Sequence, residues 1–140
     1  MKTAQVLVID DDDVDVMAIK RSFKKLKIAN PIHVARNGLE GLEVLRGKAD
    51  TAALERPYII LLDLNMPKMN GHEFLAELRA DPELTDSVVF VLTTSAAEAD
   101  RASAYHAHVA GYLVKGRVGE AFVEAMRLLD SYWRVVQLPT

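Results

Sequence analysis

The chain has 140 residues, of which 50% are hydrophobic and 26% charged, so its length and composition match one ordinary globular domain. Its formal net charge of -3 leaves no broad basic surface, which excludes nucleic-acid binding driven by phosphate contacts. The absence of cysteine excludes disulfides and thiolate metal sites, and no apolar run approaches the roughly 20 residues of a membrane span. We therefore expect a cytoplasmic protein whose partners include neither nucleic acid nor membrane.

Apolar runs rich in β-branched residues alternate with amphipathic patterns along the whole chain. The runs predict buried strands at 5–9, 31–35, 58–62, 88–92 and 111–114, of which the second is the weakest. Helical spacing of apolar residues predicts helices at 16–26, 38–47, 72–80, 98–109 and 118–134. Strands that alternate with helices run parallel, and the helices then cover both faces of the sheet. The pattern therefore predicts an α/β three-layer sandwich.

Four of the predicted strands are followed by side chains whose chemistry is complementary. Asp10 and Asp11 follow the first strand, Asp63 the third, Thr93 the fourth and Lys115 the fifth. Each residue alone has an ordinary structural explanation, such as a helix cap, a turn or a solvated charge. Because parallel strands end at the same edge of a sheet, however, we expect all of these side chains to lie close together.

This set of side chains suits a metal ion and a phosphoryl group. Three clustered carboxylates bind a hard divalent cation such as Mg²⁺, whose charge offsets their mutual repulsion. A carboxylate beside such a cation, a hydroxyl and an ammonium is an arrangement for phosphoryl transfer, which depends mostly on positioning and on neutralising charge. Asp63 would then be the nucleophile and form an aspartyl phosphate. Thr93 would donate a hydrogen bond to a phosphoryl oxygen, and Lys115 would neutralise part of its charge.

Further acids, Asp12, Asp13 and Asp15, extend the acidic cluster beyond this pair. We expect Asp12 or Asp13 to cap the first helix, because the dipole at a helix N-terminus favours negative charge. Metal ligation by Asp12 or Asp13 is the alternative, and it is disfavoured because Asp10 and Asp11 already supply the site.

Four motifs together resemble a known family. They are VLVIDDDD, LLDLNMPKMNG, VLTTS and GYLVK, and gaps of 52, 30 and 22 residues separate Asp11, Asp63, Thr93 and Lys115. In order and spacing the chain resembles the receiver domain of two-component response regulators over nearly its whole length. The resemblance implies a flavodoxin-like fold, with a five-stranded parallel sheet of strand order 2-1-3-4-5.

The resemblance also implies roles for individual residues. Asp63 would be the phosphoacceptor, and Thr93 and Tyr112 would form the family's switch pair, in which the hydroxyl moves toward the phosphoryl group and the ring turns inward. A Mg²⁺ or Mn²⁺ site would be made of Asp10, Asp11, Asp63 and the backbone carbonyl of Asn65. The donor of the phosphoryl group would be a sensor histidine kinase.

The chain departs from the family after the lysine, where Gly116 replaces the usual cis proline. A cis bond costs about 2.5 to 4 kcal/mol without proline, against about 0.5 to 1 kcal/mol with it. We therefore expect a trans or looser loop after Lys115, with the charge of the lysine retained.

Only 25 residues follow Lys115, enough for a last helix and a six-residue tail at 135–140. We expect one receiver domain over 1–140 without an output domain, so that the signal leaves through protein contacts. The Trp-containing helix and Leu-Pro tail resemble single-domain regulators of phytochrome-type histidine kinases, which implies such a kinase as partner and a homodimer. Apolar residues from Tyr132 onward exceed the capacity of one core and indicate a partner surface. Together with the dimer that the resemblance implies, they predict a dimer surface at Tyr112, Phe122, Tyr132, Trp133, Val136 and Leu138.

Two alternatives to a phosphoacceptor signalling domain remain. A Mg²⁺-dependent hydrolase using Asp63 as nucleophile on small phosphates would need a second acid or base, and Asn65 stands two residues after Asp63 instead. A scaffold that is never phosphorylated is disfavoured by the complete set of site residues. We therefore expect no enzyme activity beyond the domain's own phosphotransfer and dephosphorylation.

Overall fold

Strands and helices alternate along the chain in the computed structural model, which describes residues 4–48, 51–64, 68–93, 107–114, 126–127, 129–132 and 138–139, with only the backbone of Thr93 and Val114. The elements are β1 (Gln5–Ile9), α1 (Asp13–Lys25), β2 (Ile32–Ala35), α2 (Gly38–Arg46), β3 (Tyr58–Asp63), α3 (Gly71–Ala80), β4 (Val88–Thr93) and β5 (Gly111–Val114). Residues 126–127 and 129–132 are also helical. No helix of the described ranges is long and apolar enough to cross a membrane.

The five strands form one parallel sheet in the order β2-β1-β3-β4-β5. The winding reverses at β1, whose neighbours are β2 on one side and β3 on the other. In the register Ile9 lies beside Leu62, so the residue after β1 emerges next to Asp63, the last residue of β3. The predicted sheet and its strand order are confirmed.

Side chains pack against the two faces of the sheet in two separate clusters. The first core cluster joins one face to α2 and α3 through residues such as Leu42 and Phe74. The second core cluster joins the other face to α1 and the C-terminal helical residues through Ile19 and Leu129. All six residues of β3 are buried between these layers. This arrangement confirms the three-layer sandwich.

The helix ends follow their local signals. Asp12 is the N-cap of α1 and accepts a 2.8 Å hydrogen bond from the Val14 N–H, as predicted for Asp12 or Asp13. Asn37 caps the start of α2, and Gly47, with φ of 83°, ends it because glycine adopts this left-handed conformation without strain. Asp81 lies at the C-terminal end of α3.

Most boundaries of the described elements agree with the predictions to within one residue, but α1 begins three residues earlier, at Asp13. Asp63 and Thr93 belong to β3 and β4 as their last residues, because the ladder hydrogen bonds continue one position beyond the apolar runs. Residues 107 and 108 form a turn and Val109 is not helical, and His108 has a φ of 56° that a helix does not allow. The rest of the predicted helix at 98–109 lies outside the described residues, as does the bond between Lys115 and Gly116.

The C-terminal residues that the structure describes pack onto their own subunit. Tyr132 is half-buried, and its ring meets that of Phe90 edge to face at 4.9 Å. Leu138 is only 8% exposed and belongs to the second core cluster. The expectation that the tail presents its apolar side chains outward is therefore wrong for Leu138, which the domain's own core accommodates. Phe122, Trp133 and Val136 lie outside the described residues.

Candidate functional site

Three carboxylates meet where β1 and β3 end. One oxygen from each of Asp10, Asp11 and Asp63 lies within 4.8 Å of the others. Asp10 and Asp63 are 1% and 8% exposed, whereas Asp11 is exposed to solvent. The cluster therefore has two acids fixed in the protein interior and a third that faces water.

Backbone contacts fix Asp10, the first of the acidic pair, at the end of β1. The Asp10 N–H donates a 3.0 Å hydrogen bond to the Ala35 carbonyl at the end of β2. The Asp10 Oδ1 atom accepts a 2.9 Å hydrogen bond from the Asp12 N–H, just before α1. The side chain of Asp10 is thereby oriented by the same turn that begins the helix.

The exit of the chain from Asp63 requires a glycine at position 71. The Gly71 N–H donates a 3.0 Å hydrogen bond to the Leu64 carbonyl, which brings the start of α3 against the end of β3. A Cβ at Gly71 would lie 2.6 Å from the Leu64 Cα and 2.7 Å from the Asp63 carbonyl oxygen, closer than real Cβ contacts. Asn70 and Glu73 form a reciprocal capping box at this start. The loop after Asp63 is therefore anchored where it enters α3.

The acids beyond the pair have other partners. Asp12 caps α1, and Asp13 accepts from the guanidinium of Arg36 at 2.6 and 2.8 Å. Among the described residues, the group able to hold a metal comprises Asp10, Asp11 and Asp63 without Asp12 or Asp13. The interpretation of Asp12 as a helix cap is confirmed, and its alternative role as a metal ligand has no support.

The remaining predicted site residues are placed only in part. Thr93 ends β4 and pairs in register with Val114, so its backbone lies at the same edge of the sheet as the acids. Tyr112 is half-buried and packs against the first core cluster. Asn65 and Lys115 lie outside the described residues.

Sequence reasoning missed one residue beside the site, Arg36. Its partner Asp13 is 23 positions earlier in the chain, and no local motif marks such a pair. The only available signal was the position of Arg36 directly after β2, which places it at the same edge of the sheet as Asp10.

The donor set suits a hard divalent cation. Two unit charges about 4 Å apart repel by about 1 kcal/mol in water and by more in a protein interior, so three such carboxylates favour a bound cation. Carboxylate oxygens are ligands that Mg²⁺ and Mn²⁺ prefer. The residues present therefore fit such an ion, with Asp11 open to the solvent from which the ion arrives.

Comparison with known proteins agrees with this geometry. The response regulator receiver domain family matches residues 6–127. The chain belongs to this family. Response regulator Rcp1 of Synechocystis sp. is 34% identical over 135 residues, which cover 96% of this chain and 92% of Rcp1. These matches confirm a signalling domain of two-component systems.

Solved receiver structures share the whole fold. The crystal structure of Mn²⁺-bound Rcp1 has a TM-score of 0.86 at 33% identity and covers 98% of this chain and 99% of that chain. The phosphorylated cyanobacterial phytochrome response regulator RcpA has a TM-score of 0.89 at 30% identity, with 99% and 100% covered. RPA3017, a response regulator in red light signalling of R. palustris, has a TM-score of 0.84 at 32% identity, with 98% and 99% covered. The predicted resemblance to phytochrome-associated regulators is confirmed.

Proposed function

We propose that this protein is a receiver that accepts a phosphoryl group on Asp63 from a phosphohistidine of a sensor histidine kinase. The observation that carries the proposal is the cluster of Asp10, Asp11 and Asp63 at the carboxyl ends of two neighbouring strands. Membership of the receiver family supports the same role.

The transfer needs one nucleophile and a site that tolerates charge. A carboxylate oxygen of Asp63 attacks the phosphorus, an O–P bond forms, and the N–P bond to the donor histidine breaks with its electron pair remaining on the imidazole nitrogen. The product is an acyl phosphate. Dephosphorylation removes the added charge: water attacks the phosphorus, the bond between the phosphorus and the Asp63 oxygen breaks, and inorganic phosphate and a proton leave the restored Asp63 carboxylate. The domain is thus a signalling module that catalyses only its own phosphorylation and dephosphorylation.

We assign Mg²⁺ or Mn²⁺ to Asp10, Asp11, Asp63 and the backbone carbonyl of Asn65. When bound, the ion neutralises charge on the phosphoryl oxygens. The Mn²⁺-bound state of Rcp1 supports this assignment. Asp10 and Asp63 are buried and would supply fixed ligands, and the exposed Asp11 would supply a third ligand from the solvent side.

We also assign Thr93 and Lys115 to the proposed site. Thr93 would donate a hydrogen bond to a phosphoryl oxygen, and the Lys115 ammonium would pair with its charge. Thr93 and Tyr112 would then act as the switch pair. The half-buried position of Tyr112 supports this role, because its ring already lies between the core and the surface.

We further propose that the chain works as a single receiver domain over residues 1–140 in the cytoplasm, with a phytochrome-type histidine kinase as partner. RcpA, described as a phytochrome response regulator, and RPA3017, described in red light signalling, support this choice of kinase. A homodimer through Tyr112, Phe122, Tyr132, Trp133 and Val136 is proposed as the output form. Leu138 contributes to the same region from within the core.

The phosphoacceptor is tested by incubating the full chain with acetyl phosphate and Mg²⁺ and measuring the intact mass. We expect one phosphoryl group that is lost at alkaline pH and on hydroxylamine treatment, and no label after chelation of the metal. Asp63→Asn should abolish the label. Asp86→Asn is the matched control, because Asp86 is an exposed acid that pairs with Arg56 before β4. An undiminished label on Asp63→Asn would refute the phosphoacceptor assignment.

A further inference from the structure

The segment Arg36–Glu40, which runs from the end of β2 into the first turn of α2, contacts both the start of α1 and the loop that follows Asp63. On one side the guanidinium of Arg36 donates from both terminal nitrogens to Asp13 Oδ1, at 2.6 and 2.8 Å. On the other side the Gly38 N–H donates a 3.0 Å hydrogen bond to the carbonyl of Met69, in the loop that follows Asp63.

The contact with α1 bears on the acidic pair directly. Asp13 is the first residue of α1, and Asp12, its N-cap, donates its N–H to Asp10 Oδ1. Ala35, which precedes Arg36, accepts the hydrogen bond of the Asp10 N–H. Asp10 is therefore held by Ala35, next to Arg36, and by Asp12, next to the Asp13 carboxylate that Arg36 binds.

The contact with the loop after Asp63 is close and specific. A Cβ at Gly38 would lie 2.7 Å from the Met69 Cγ and 2.9 Å from the Met69 carbonyl oxygen. The position thus admits only glycine without a shift of the loop.

The start of α2 is itself immobilised by its own polar groups. The backbone N–H of Arg36 donates to Glu40 Oε2 at 2.8 Å, and the Glu40 N–H donates to the Asn37 side chain at 3.0 Å. The direction of Arg36 is therefore set by the same turn that places Gly38.

We propose that Arg36 is a positioning residue of the phosphorylation site, which holds the first turn of α1, and with it Asp10 and Asp11, in register with the loop after Asp63. This inference rests on the proposed function of the three carboxylates. Because Arg36 forms an ion pair with Asp13, the Asp13 carboxylate does not compete with the site for the metal.

A double-mutant cycle of Arg36 and Asp13 distinguishes positioning from a simple effect of charge on cation binding. If Arg36 acted only through its charge, Arg36→Gln would strengthen cation binding and Asp13→Asn would weaken it, while the double variant, with the wild-type net charge, would restore it. If Arg36 acts by positioning through Asp13, each single variant breaks the same contact, and the double variant stays as impaired as either one.

The test measures Mn²⁺ affinity by the electron paramagnetic resonance of free Mn²⁺, and the rate of phosphorylation by acetyl phosphate, on the full chain. We expect both singles and the double to lose about three- to fivefold in each quantity, the range of an exposed ion pair. Lys48→Gln is the matched control, because the Lys48–Glu43 pair has the same 2.6 Å distance and similar exposure at the far end of α2. Urea unfolding of each variant separates local from global effects.

Opposite shifts in the two singles, restoration in the double, or an equal loss in Lys48→Gln would overturn the positioning role. Unchanged affinity and rate in Arg36→Gln would overturn it as well, while wild-type phosphorylation on Asp63 would leave the proposed function intact. A wild-type chain that neither binds Mn²⁺ nor becomes phosphorylated would refute the proposed function itself.

Discussion

The two ends of the sheet use charge in opposite ways. At the carboxyl edge, where the strands end, three carboxylates are clustered within 4.8 Å of one another. At the amino edge, where the strands begin, Arg56 and Arg79 donate hydrogen bonds to nearby carboxylate and carbonyl oxygens.

Arg79, in the last turn of α3, shows how the amino edge is built. Its guanidinium donates to four backbone carbonyls, those of Thr85 and Ser87 before β4 and of Ala107 and His108 before β5, at 2.6 to 3.1 Å. Burial lowers the pKa of Arg79, because removal from water disfavours the charged form. The side chain thereby joins two connections that are far apart in the chain.

A second polar group supports the same edge. Arg56 pairs with Asp86 at 3.0 Å and lies over the ring of Tyr58, whose hydroxyl meets that of Ser87 at 2.7 Å. An open cavity of about 420 Å³ beside Arg79 and Tyr132 also lies at this end, away from the carboxylates.

The amino edge is thus stabilised by contacts within the chain, whereas the carboxyl edge carries a donor set that suits a cation. The two arginines at the amino edge are hydrogen-bonded within the chain. The three acids at the carboxyl edge repel one another, a cost in folding free energy that the proposed cation would offset. Substitutions at the two edges should therefore have opposite effects on stability and on metal affinity.

The largest effect on stability is expected from Arg79→Met, which keeps the apolar stem and removes the guanidinium. Loss of donors to four carbonyls should lower the free energy of unfolding in urea by about 2 kcal/mol. Mn²⁺ affinity should be unchanged, because Arg79 is at the amino edge. Arg46→Met is the control, since Arg46 is an exposed arginine in the last turn of α2 and should cost less than about 1 kcal/mol. A similar loss for both variants would contradict the special role of Arg79.

Asp11→Asn should produce the opposite pattern at the carboxyl edge. Removing an exposed carboxylate from the cluster should weaken Mn²⁺ binding at least about tenfold, as loss of groups around a metal commonly does. Without metal, the variant should be more stable than wild type by up to about 1 kcal/mol, because repulsion between acids is relieved. Titration calorimetry and urea unfolding measure the two quantities. A metal-free Asp11→Asn variant that is less stable than wild type would contradict the expected repulsion among the three carboxylates.

The smallest effect concerns the pH dependence at Asp81. The Glu83 N–H, and then the Arg46 guanidinium, hold the pKa of Asp81 below its ordinary value of 3.8. Because the folded-state pKa is depressed, its contribution to stability is present above the unfolded-state pKa and is lost as the pH falls through the folded-state value. Asp81→Asn should therefore be less stable than wild type at pH 7, and the difference should narrow below about pH 4. Thermal unfolding at several pH values checks this, and a constant difference would contradict it.

Local signals predicted the strands, the layered architecture and the clustering of Asp10, Asp11 and Asp63, whereas the strand order came from the family resemblance. The strands were predictable to within a residue because β-branched runs bounded by turn residues mark buried strands, and Asp12 was predictable as a cap from the acid that precedes a helix. The roles of Arg36 and Arg79 were not predictable. Arg36 pairs across 23 residues, and the partners of Arg79 are backbone carbonyls, which every residue carries and no sequence pattern distinguishes.

The neighbouring position of β1 and β3 links ligand binding to folding. Asp11 and Asp63 are 52 residues apart in the chain and meet only in the assembled sheet, so an unfolded chain offers no such cluster. A cation bound there at a concentration of about 100 times its Kd would add about 2.7 kcal/mol to the free energy of unfolding by mass action. The concentration of divalent cations would then contribute to the stability of the folded protein and, on the proposed function, to how readily Asp63 reacts.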